Sequence, residues 1–276
     1  MATITVAAIV HRTLSLVFPH DHFPSHSMSL PSIGFLPPRL IQSHLPLLVL
    51  FPGMDGTGKL FNQQITGLID RFDVRCLSIP TNDLNGWKGL VDRAVPLILS
   101  ELTQGQSLYL CGESFGACFA MRVAEQLGTK INQLILINPA SSFARQPLLA
   151  AGSALSGLMP DALYSLSAMI LVNFLIDSDR VAPAKRQDLL DAMLSVQPQT
   201  AAWRLNLLRQ FPIDSIVPKL TDIPTLLIAG GLDRLLPSAL EISILSQLIP
   251  NSKTLLLPDS GHACLLERDI HLANQL

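Results

Sequence analysis

Short apolar segments alternate with helical patterns along most of the chain. Several short segments are apolar throughout, as in strands that are buried on both faces of a parallel sheet. Six strands are predicted, at Leu45–Phe51, Phe72–Ile79, Ser107–Cys111, Leu134–Asn138, Thr225–Ala229 and Lys253–Leu257. Helical patterns lie near residues 58–70, 86–102, 115–128, 237–249 and 262–274. This alternation predicts an α/β fold in which helices flank a mostly parallel sheet and ligands bind at the carboxyl ends of the strands.

The alternation stops between about residues 141 and 220. Only helical patterns occur there, at 147–158, 161–176, 184–195 and 199–210, and prolines separate them. Because both ends of this stretch join predicted strands, we interpret it as a helical cap inserted at about 141–220; a separate helical domain is the alternative. We expect the core domain to comprise residues 45–140 and 221–276, and residues 1–44 to form a poorly ordered leader.

Charge is sparse and unevenly distributed. The chain has 276 residues with 14% charged residues and a net charge of −2, so it has no basic surface that would indicate a nucleic-acid partner. Residues 1–54 contain only Arg12, Asp21 and Arg39, and residues 146–176 contain only Asp161. The uncharged segment Ala162–Ile176 is too short to span a membrane. It suits a buried helix, the wall of an acyl-chain pocket, or a peripheral contact with a membrane surface.

The leader and the cysteines bear on location and metal binding. Arg12 follows the apolar N-terminus, whereas a secretory signal begins with its positive charge. The four cysteines lack metal or redox spacing, which favours a reducing compartment such as the cytoplasm. Two alternatives to a poorly ordered leader are a transit peptide and a true start of the protein at Met28. The histidines of residues 11–44 have only Asp21 as a nearby carboxylate, so we predict no metal and no cofactor.

The strongest chemical signal is Gly112-Glu113-Ser114-Phe115-Gly116, which fits G-x-S-x-G. It follows a predicted strand and opens a predicted helix, which is the setting of a nucleophile elbow. Glycines let the backbone turn sharply there, so that the Ser114 hydroxyl projects above the sheet. The alternative is a glycine-rich turn with a capping serine.

A serine nucleophile needs a base and an acid that orients the base. His262 lies on the loop after a predicted strand, whereas His271 lies on the presumed last helix, so His262 is the candidate base. Asp233 follows the preceding strand and is the candidate acid. Asp222 lies at the wrong end of that strand, and Asp259 is more typical of a turn residue.

The same mechanism needs donors for an oxyanion. The backbone N–H of Phe115, directly after the nucleophile, is one candidate. The other should come from the loop Phe51–Gly58, where we choose the N–H of Met54, with Asp55 as the alternative. This glycine-rich loop lacks both nucleotide-binding patterns, because Leu60 follows Lys59 and G-x-G-x-x-G does not occur.

From about residue 45 to 276 the sequence resembles the α/β-hydrolase family. Four segments, 51–58, 72–80, 111–118 and 138–143, are similar to its esterase, lipase and thioesterase branch, which includes the plant and cyanobacterial phytyl ester synthases. By position, Ser114, Asp233 and His262 match the family's triad. The resemblance implies transfer of fatty acyl groups to phytol or diacylglycerol. Plant members carry a C-terminal acyltransferase-like domain, which we do not expect here because the sequence ends 14 residues after His262.

The sequence thus predicts a serine hydrolase that acts on ester or thioester bonds of apolar acyl substrates through an acyl-enzyme on Ser114. An acyltransferase differs only in the hydroxyl that attacks this intermediate. A carbon–carbon bond hydrolase with the same triad and a non-catalytic binding protein are further alternatives. We expect a small-molecule substrate and infer no obligate protein partner.

Overall fold

The computed structural model describes residues 32–37, 40–146 and 160–276. Within these residues a seven-stranded sheet has the order β1-β3-β2-β4-β5-β6-β7. The strands are Gly34–Phe35 (β1), Leu47–Phe51 (β2), Asp73–Ser78 (β3), Leu108–Glu113 (β4), Gln133–Ile137 (β5), Thr225–Gly230 (β6) and Ser252–Leu257 (β7). Strands β2 to β7 pair in parallel, and β1 pairs with β3 in antiparallel fashion. The predicted α/β fold with a mostly parallel sheet is confirmed.

Helices cover both faces of the sheet. They are Asn62–Leu68 (α1), Trp87–Glu101 (α2), Phe115–Leu127 (α3), Asp161–Leu175 (α4), Pro183–Ser195 (α5), Pro198–Arg209 (α6), Ile213–Ile216 (α7) and Ser238–Leu248 (α8). Along β2, Val49 belongs to a core cluster with α2, α3 and α8, whereas Leu48 and Leu50 belong to a second cluster with α1 and the C-terminal turns. Burial on both sides explains why these strands are apolar throughout.

The chain between β5 and β6 is helical in its described part. Helices α4 to α7 follow one another there, and Val172 and Leu175 of α4 pack against Leu189 of α5 and Leu266. The helix predicted at 147–158 lies outside the described residues, as do His11, His20, His22 and His26 of the predicted leader. Division of the chain into a core, a cap and a leader stays a prediction. Gly34–Phe35 of β1, within the predicted leader range, pairs with β3.

The helix predicted at 262–274 is wrong. Two short 3-10 turns occupy this stretch, at Cys264–Leu266 and Leu272–Asn274. Its backbone donors have partners elsewhere in the fold, because Ala263 N–H bonds the Leu175 carbonyl, Arg268 N–H the Arg180 carbonyl, and Leu272 N–H the Gln64 side chain. Long-range partners have replaced the bonds that a regular helix would have required.

None of the helices in the described ranges is both long and apolar enough to cross a membrane.

Candidate active site

Ser114 lies on a sharp turn between β4 and α3. Its backbone φ is 57°, in the left-handed region that a residue with a side chain rarely adopts. The turn is tight, because a Cβ at Gly112 would lie 2.2 Å from the Gly116 carbonyl oxygen, and a Cβ at Gly116 would lie 2.1 Å from that of Phe51. The two glycines of the motif are therefore required by close backbone contacts, and the strained turn has the geometry of a nucleophile elbow.

The structure brings the three predicted side chains together. Ser114 Oγ lies 2.9 Å from His262 Nε2, and His262 Nδ1 lies 2.7 Å from Asp233 Oδ2. The side chains of His262 and Asp233 are 4% and 1% exposed, so the bond between these two residues is shielded from bulk water. Residues that are 148 and 29 positions apart in the chain thus form one continuous hydrogen-bonded series.

Asp233 is held as a carboxylate. Its Oδ1 accepts hydrogen bonds from the N–H groups of Leu235 and Leu236, and Ser238 Oγ donates to Oδ2 at 2.5 Å. Burial opposes ionisation, but His262, Ser238 and the Leu236 N–H outweigh it, so the pKa of Asp233 lies below its usual value. A charged, buried Asp233 can fix the orientation of the imidazole and stabilise its protonated form.

The loop that carries His262 is anchored by Glu267. The Gly261 N–H and Ser260 Oγ donate to the Glu267 carboxylate at 2.8 and 2.9 Å, and Arg180 Nε donates at 2.8 Å. Glu267 is 1% exposed. This anchor was not predicted from the sequence, because only the folded chain shows that the acidic side chain turns back toward residues six and seven positions before it.

Asn138 connects the same loop with the end of β6. Its Nδ2 donates to the His262 carbonyl at 2.5 Å, and its Oδ1 accepts from the Gly230 N–H at 2.8 Å. The residue is fully buried and has a φ of 43°, which asparagine tolerates better than most residues. Its signal in the sequence is an Asn-Pro pair at the end of the predicted strand Leu134–Asn138, within the segment 138–143 that carries the family resemblance.

The two predicted oxyanion donors lie on the loop after β2 and at the start of α3. In the described part of the chain neither the Met54 N–H nor the Phe115 N–H bonds a protein acceptor. Met54 lines the same cavity as Ser114, and Phe115 follows Ser114 directly. The Asp55 N–H, the alternative donor, also bonds no protein acceptor among the described residues, and the Asp55 carboxylate is bound to the N–H and hydroxyl of Thr57.

Ser114 and His262 open into a cavity of about 350 Å³. Most of its lining is apolar, and helices α4, α5 and α6 supply one side of it, with residues such as Leu171, Leu189 and Leu205. Its polar side chains belong to Asp55, Glu113, Ser114, Tyr164, Ser167 and His262. The arrangement suits a mostly apolar ligand with its polar group at Ser114.

Glu113 is the acidic residue of the motif and directly precedes Ser114. Its Oε1 is shielded from solvent and has no hydrogen-bond partner among the described residues. Burial raises the pKa of Glu113 to about 7, while His262 and the Leu265 N–H act in the opposite direction. Near neutral pH, a large fraction of this carboxyl group is therefore protonated.

The comparisons with known proteins agree with this geometry. Residues 46–269 match the family model described as alpha/beta hydrolase fold, so the chain belongs to the α/β-hydrolase family. It is 32% identical over 254 residues to phytyl ester synthase 1, chloroplastic, of Arabidopsis thaliana, and 30% identical over 260 residues to phytyl ester synthase 2, chloroplastic, of the same plant. These alignments cover 82% and 83% of this chain but only 36% of each relative.

Among solved structures, MenH from S. aureus is similar with a TM-score of 0.69 and 19% identity. The match covers 89% of this chain and 96% of that protein. At this identity the likeness shows the fold alone. The expected resemblance to the hydrolase family and its phytyl ester synthase branch is confirmed, and the chain spans about 36% of the length of these plant relatives.

Proposed function

We propose that the protein cleaves or transfers apolar acyl groups by way of an acyl-enzyme on Ser114. The observation that carries this proposal is the hydrogen-bonded series from Ser114 through His262 to Asp233, which opens into a mostly apolar cavity. The family membership and the names of the plant relatives support ester chemistry.

In the first half-reaction, Ser114 Oγ attacks the acyl carbonyl carbon while His262 Nε2 takes the hydroxyl proton. Asp233 stabilises the imidazolium, and the N–H groups of Met54 and Phe115 bind the oxyanion. The bond from the carbonyl carbon to the leaving oxygen or sulfur then breaks. The leaving group receives the proton from His262, and the acyl group stays on Ser114.

In the second half-reaction, His262 removes a proton from water or from an alcohol, whose oxygen attacks the carbonyl carbon of the acyl-enzyme. The bond from that carbon to Ser114 Oγ then breaks, and Ser114 Oγ receives the proton from His262. Water gives hydrolysis, and an alcohol gives a new ester. The apolar lining favours a long-chain alcohol as acceptor, because water is poorly solvated in such surroundings. Acyl transfer, for which phytol is the acceptor to test first, is therefore the second candidate function.

A fluorophosphonate probe tests the nucleophile, because it phosphonylates an activated serine with loss of fluoride. We expect labelling of the wild type and none of Ser114→Ala, and the exposed Ser243→Ala on α8 should label like the wild type. Equal labelling of Ser114→Ala would refute the assignment of the nucleophile. That result would favour the alternative function, a non-catalytic binding protein with the same fold.

The type of reaction is tested by the products. Purified protein is given a p-nitrophenyl ester of a medium-chain acid, with and without phytol, and the free acid and phytyl ester are quantified. Phytyl ester as the main product would support transfer, whereas free acid alone would support hydrolysis. A β-diketone substrate, cleaved faster than any ester, would favour the carbon–carbon bond hydrolase.

The proposal for location has two candidates. The cysteine pattern favours the cytoplasm, and a transit peptide is the alternative. Both plant relatives are named as chloroplastic. Imaging of the full chain fused at its C-terminus to a fluorescent protein, in a plant cell, separates the two.

A further inference from the structure

Arg204 is a buried arginine on α6 that lies outside the cavity but contacts the loop after β2. It is 2% exposed and is the largest fully buried side chain in the described part of the chain. Burying a guanidinium is costly unless its donors are paired. Burial lowers the pKa of Arg204, while the nearby carboxylates Asp55 and Asp83 act in the opposite direction. The structure must therefore compensate this charge.

The guanidinium joins two loops of the sheet domain. Nη1 donates to the Met54 carbonyl at 2.7 Å, and Nη2 donates to the Pro80 carbonyl at 2.8 Å. The guanidinium packs closely against Gly56, because a Cβ there would lie 2.6 Å from Nη1. Arg204 thus replaces solvent as the partner of one carbonyl group on each of two loops, and one of these loops contains Met54.

These contacts fix the peptide groups from which an oxyanion donor comes. The Gly56 N–H bonds the Gly53 carbonyl at 3.0 Å, which orients the peptide that ends in the Met54 N–H. Arg204 holds the next peptide, between Met54 and Asp55, by its carbonyl. Because each peptide is planar, its N–H points away from the bound carbonyl. Both candidate donors, Met54 and Asp55, are therefore oriented by bonds on the opposite side of the loop.

We propose that Arg204 is a positioning residue, which reaches from α6 to the loop after β2, binds the Met54 carbonyl and so holds in place the segment whose Met54 N–H binds the oxyanion. This inference rests on the proposed function. Arg204 also attaches α6 to the loop after β2. The position of α6 and the affinity of the site for the oxyanion should therefore be coupled. Arg204 does not line the cavity, so its effect should fall on the transition state and not on binding of the acyl chain.

The chain offers a matched control in the preceding residue. Trp203 Nε1 donates to the Asn85 carbonyl at 3.0 Å, which is also a bond from α6 to a loop of the sheet domain. It does not contact the loop of Met54 by any hydrogen bond between described residues. Trp203→Phe therefore removes a bond that docks α6 and leaves the Arg204 contacts in place.

The test compares Arg204→Met, Arg204→Lys and Trp203→Phe with the wild type on one p-nitrophenyl ester. Rates are divided by the active fraction that the fluorophosphonate labels at end point. We expect kcat to fall roughly 10- to 100-fold in Arg204→Met with KM within about twofold, since misplacement of a single donor has effects of this size. Arg204→Lys should recover part of kcat, and Trp203→Phe should keep it.

A second readout separates positioning from general destabilisation. A trifluoromethyl ketone forms an oxyanion on Ser114, whereas the methyl ketone of the same chain length serves as the unreactive reference. In Arg204→Lys, and in Arg204→Met if it folds, affinity for the trifluoromethyl ketone should fall in step with kcat/KM, while affinity for the methyl ketone stays constant. Equal losses for both ketones, or the same kcat loss in Trp203→Phe, would overturn the role of Arg204. Unlabelled wild type would instead refute the proposed function.

Discussion

Asn138 donates a 2.5 Å hydrogen bond from Nδ2 to the backbone carbonyl of His262. The same side chain accepts a bond from the Gly230 N–H at the end of β6, three residues before Asp233. One buried amide thus ties the loop of the candidate acid to the loop of the candidate base. The relative position of Asp233 and His262 depends on a residue that belongs to neither loop.

Asn138→Asp should weaken this connection with little change of shape. An aspartate can still accept from Gly230, but an ionised one cannot donate to the His262 carbonyl, which would then face a second acceptor. We expect a loss of about 1–3 kcal/mol in the free energy of unfolding and a fall in kcat/KM of roughly tenfold or more. Urea unfolding and ester kinetics measure the two effects.

Asn132→Asp is the matched control for this variant. Asn132 accepts a bond from the Leu108 N–H at the opposite, amino end of the sheet, where an aspartate can replace it. Its kcat/KM should equal that of the wild type. Wild-type kcat/KM in Asn138→Asp would contradict the connecting role of Asn138.

Asp233→Asn should remove the charge while keeping the size of the side chain. An amide that donates to His262 Nδ1 would favour the wrong tautomer, in which Nε2 can no longer accept the Ser114 proton. We expect kcat to fall on the order of 10³- to 10⁴-fold, as in serine proteases with the corresponding change. Asp222→Asn, at the amino end of β6, is the control and should keep its activity. A loss under tenfold in Asp233→Asn would show that Asp233 is not the acid.

The three candidate catalytic residues could be predicted from the sequence, whereas the residues that hold their loops in place could not. Ser114, Asp233 and His262 each follow an apolar strand, and parallel strands place their carboxyl ends at one edge, so order along the chain was enough to select them. Arg204 binds a backbone carbonyl 150 positions away, and Glu267 binds a backbone N–H six positions before it. No local pattern encodes such partners, because they depend on the packing of α6 and of the loop after β7.

The errors in secondary structure have two physical causes. Strand β1 has only two residues, which is too short for an alternating pattern to be visible. The segment after His262 has a helical pattern, but Gln64 and Arg180 bind its backbone groups from other elements. Local pattern therefore predicts the buried strands, where burial dominates, and fails where a few long-range hydrogen bonds decide the backbone.

Glu113 should make stability depend on pH near neutrality. Its pKa is raised from 4.5 to about 7, so the folded protein holds this proton more tightly than the unfolded chain does. The resulting stabilisation is fully present below pH 4.5 and is lost as the pH rises through about 7. Glu113→Gln imitates the protonated group at every pH and should lack this loss.

Urea unfolding at about pH 5 and pH 8 measures the difference. From pH 5 to pH 8, the free energy of unfolding of Glu113→Gln should rise relative to that of the wild type by up to about 3 kcal/mol. Glu125→Gln, which removes a carboxylate that pairs with Arg122 and Lys219, should show no such gain at pH 8. If the difference between Glu113→Gln and the wild type is the same at both pH values, Glu113 does not hold a proton in the folded state.

Ala168→Phe should shorten the chain length that the site accepts. Ala168 is 4% exposed and lines the cavity from α4, so a phenyl ring there would occupy space that an acyl chain needs. We expect kcat/KM for long-chain p-nitrophenyl esters to fall more than tenfold and that for the acetate to change little. Leu166→Phe, on the exposed face of the same helix, is the control. A uniform loss for all chain lengths would speak against an acyl pocket at this position.

The opposite face of α4 should bind a lipid surface. Its large apolar side chains are exposed by about half, at Leu163 (54%), Leu166 (52%), Met169 (55%), Ile170 (54%) and Phe174 (48%). Leu163, Leu166, Ile170 and Phe174 recur every three to four residues, and Met169 lies beside Ile170, so the five side chains share one face of α4. The same helix forms a wall of the cavity. An acyl substrate delivered from a bilayer would then have a short path to Ser114.

Co-sedimentation with phosphatidylcholine vesicles tests this face. We expect the wild type to bind and the double variant Leu166→Ser, Ile170→Ser to bind at least threefold less, because affinity scales with the apolar area that enters the interface. The double variant Leu240→Ser, Leu248→Ser removes two equally exposed leucines from α8 and should bind like the wild type. All three proteins should hydrolyse p-nitrophenyl acetate at the same rate. Equal vesicle binding by both double variants would show that α4 is not the lipid-facing surface.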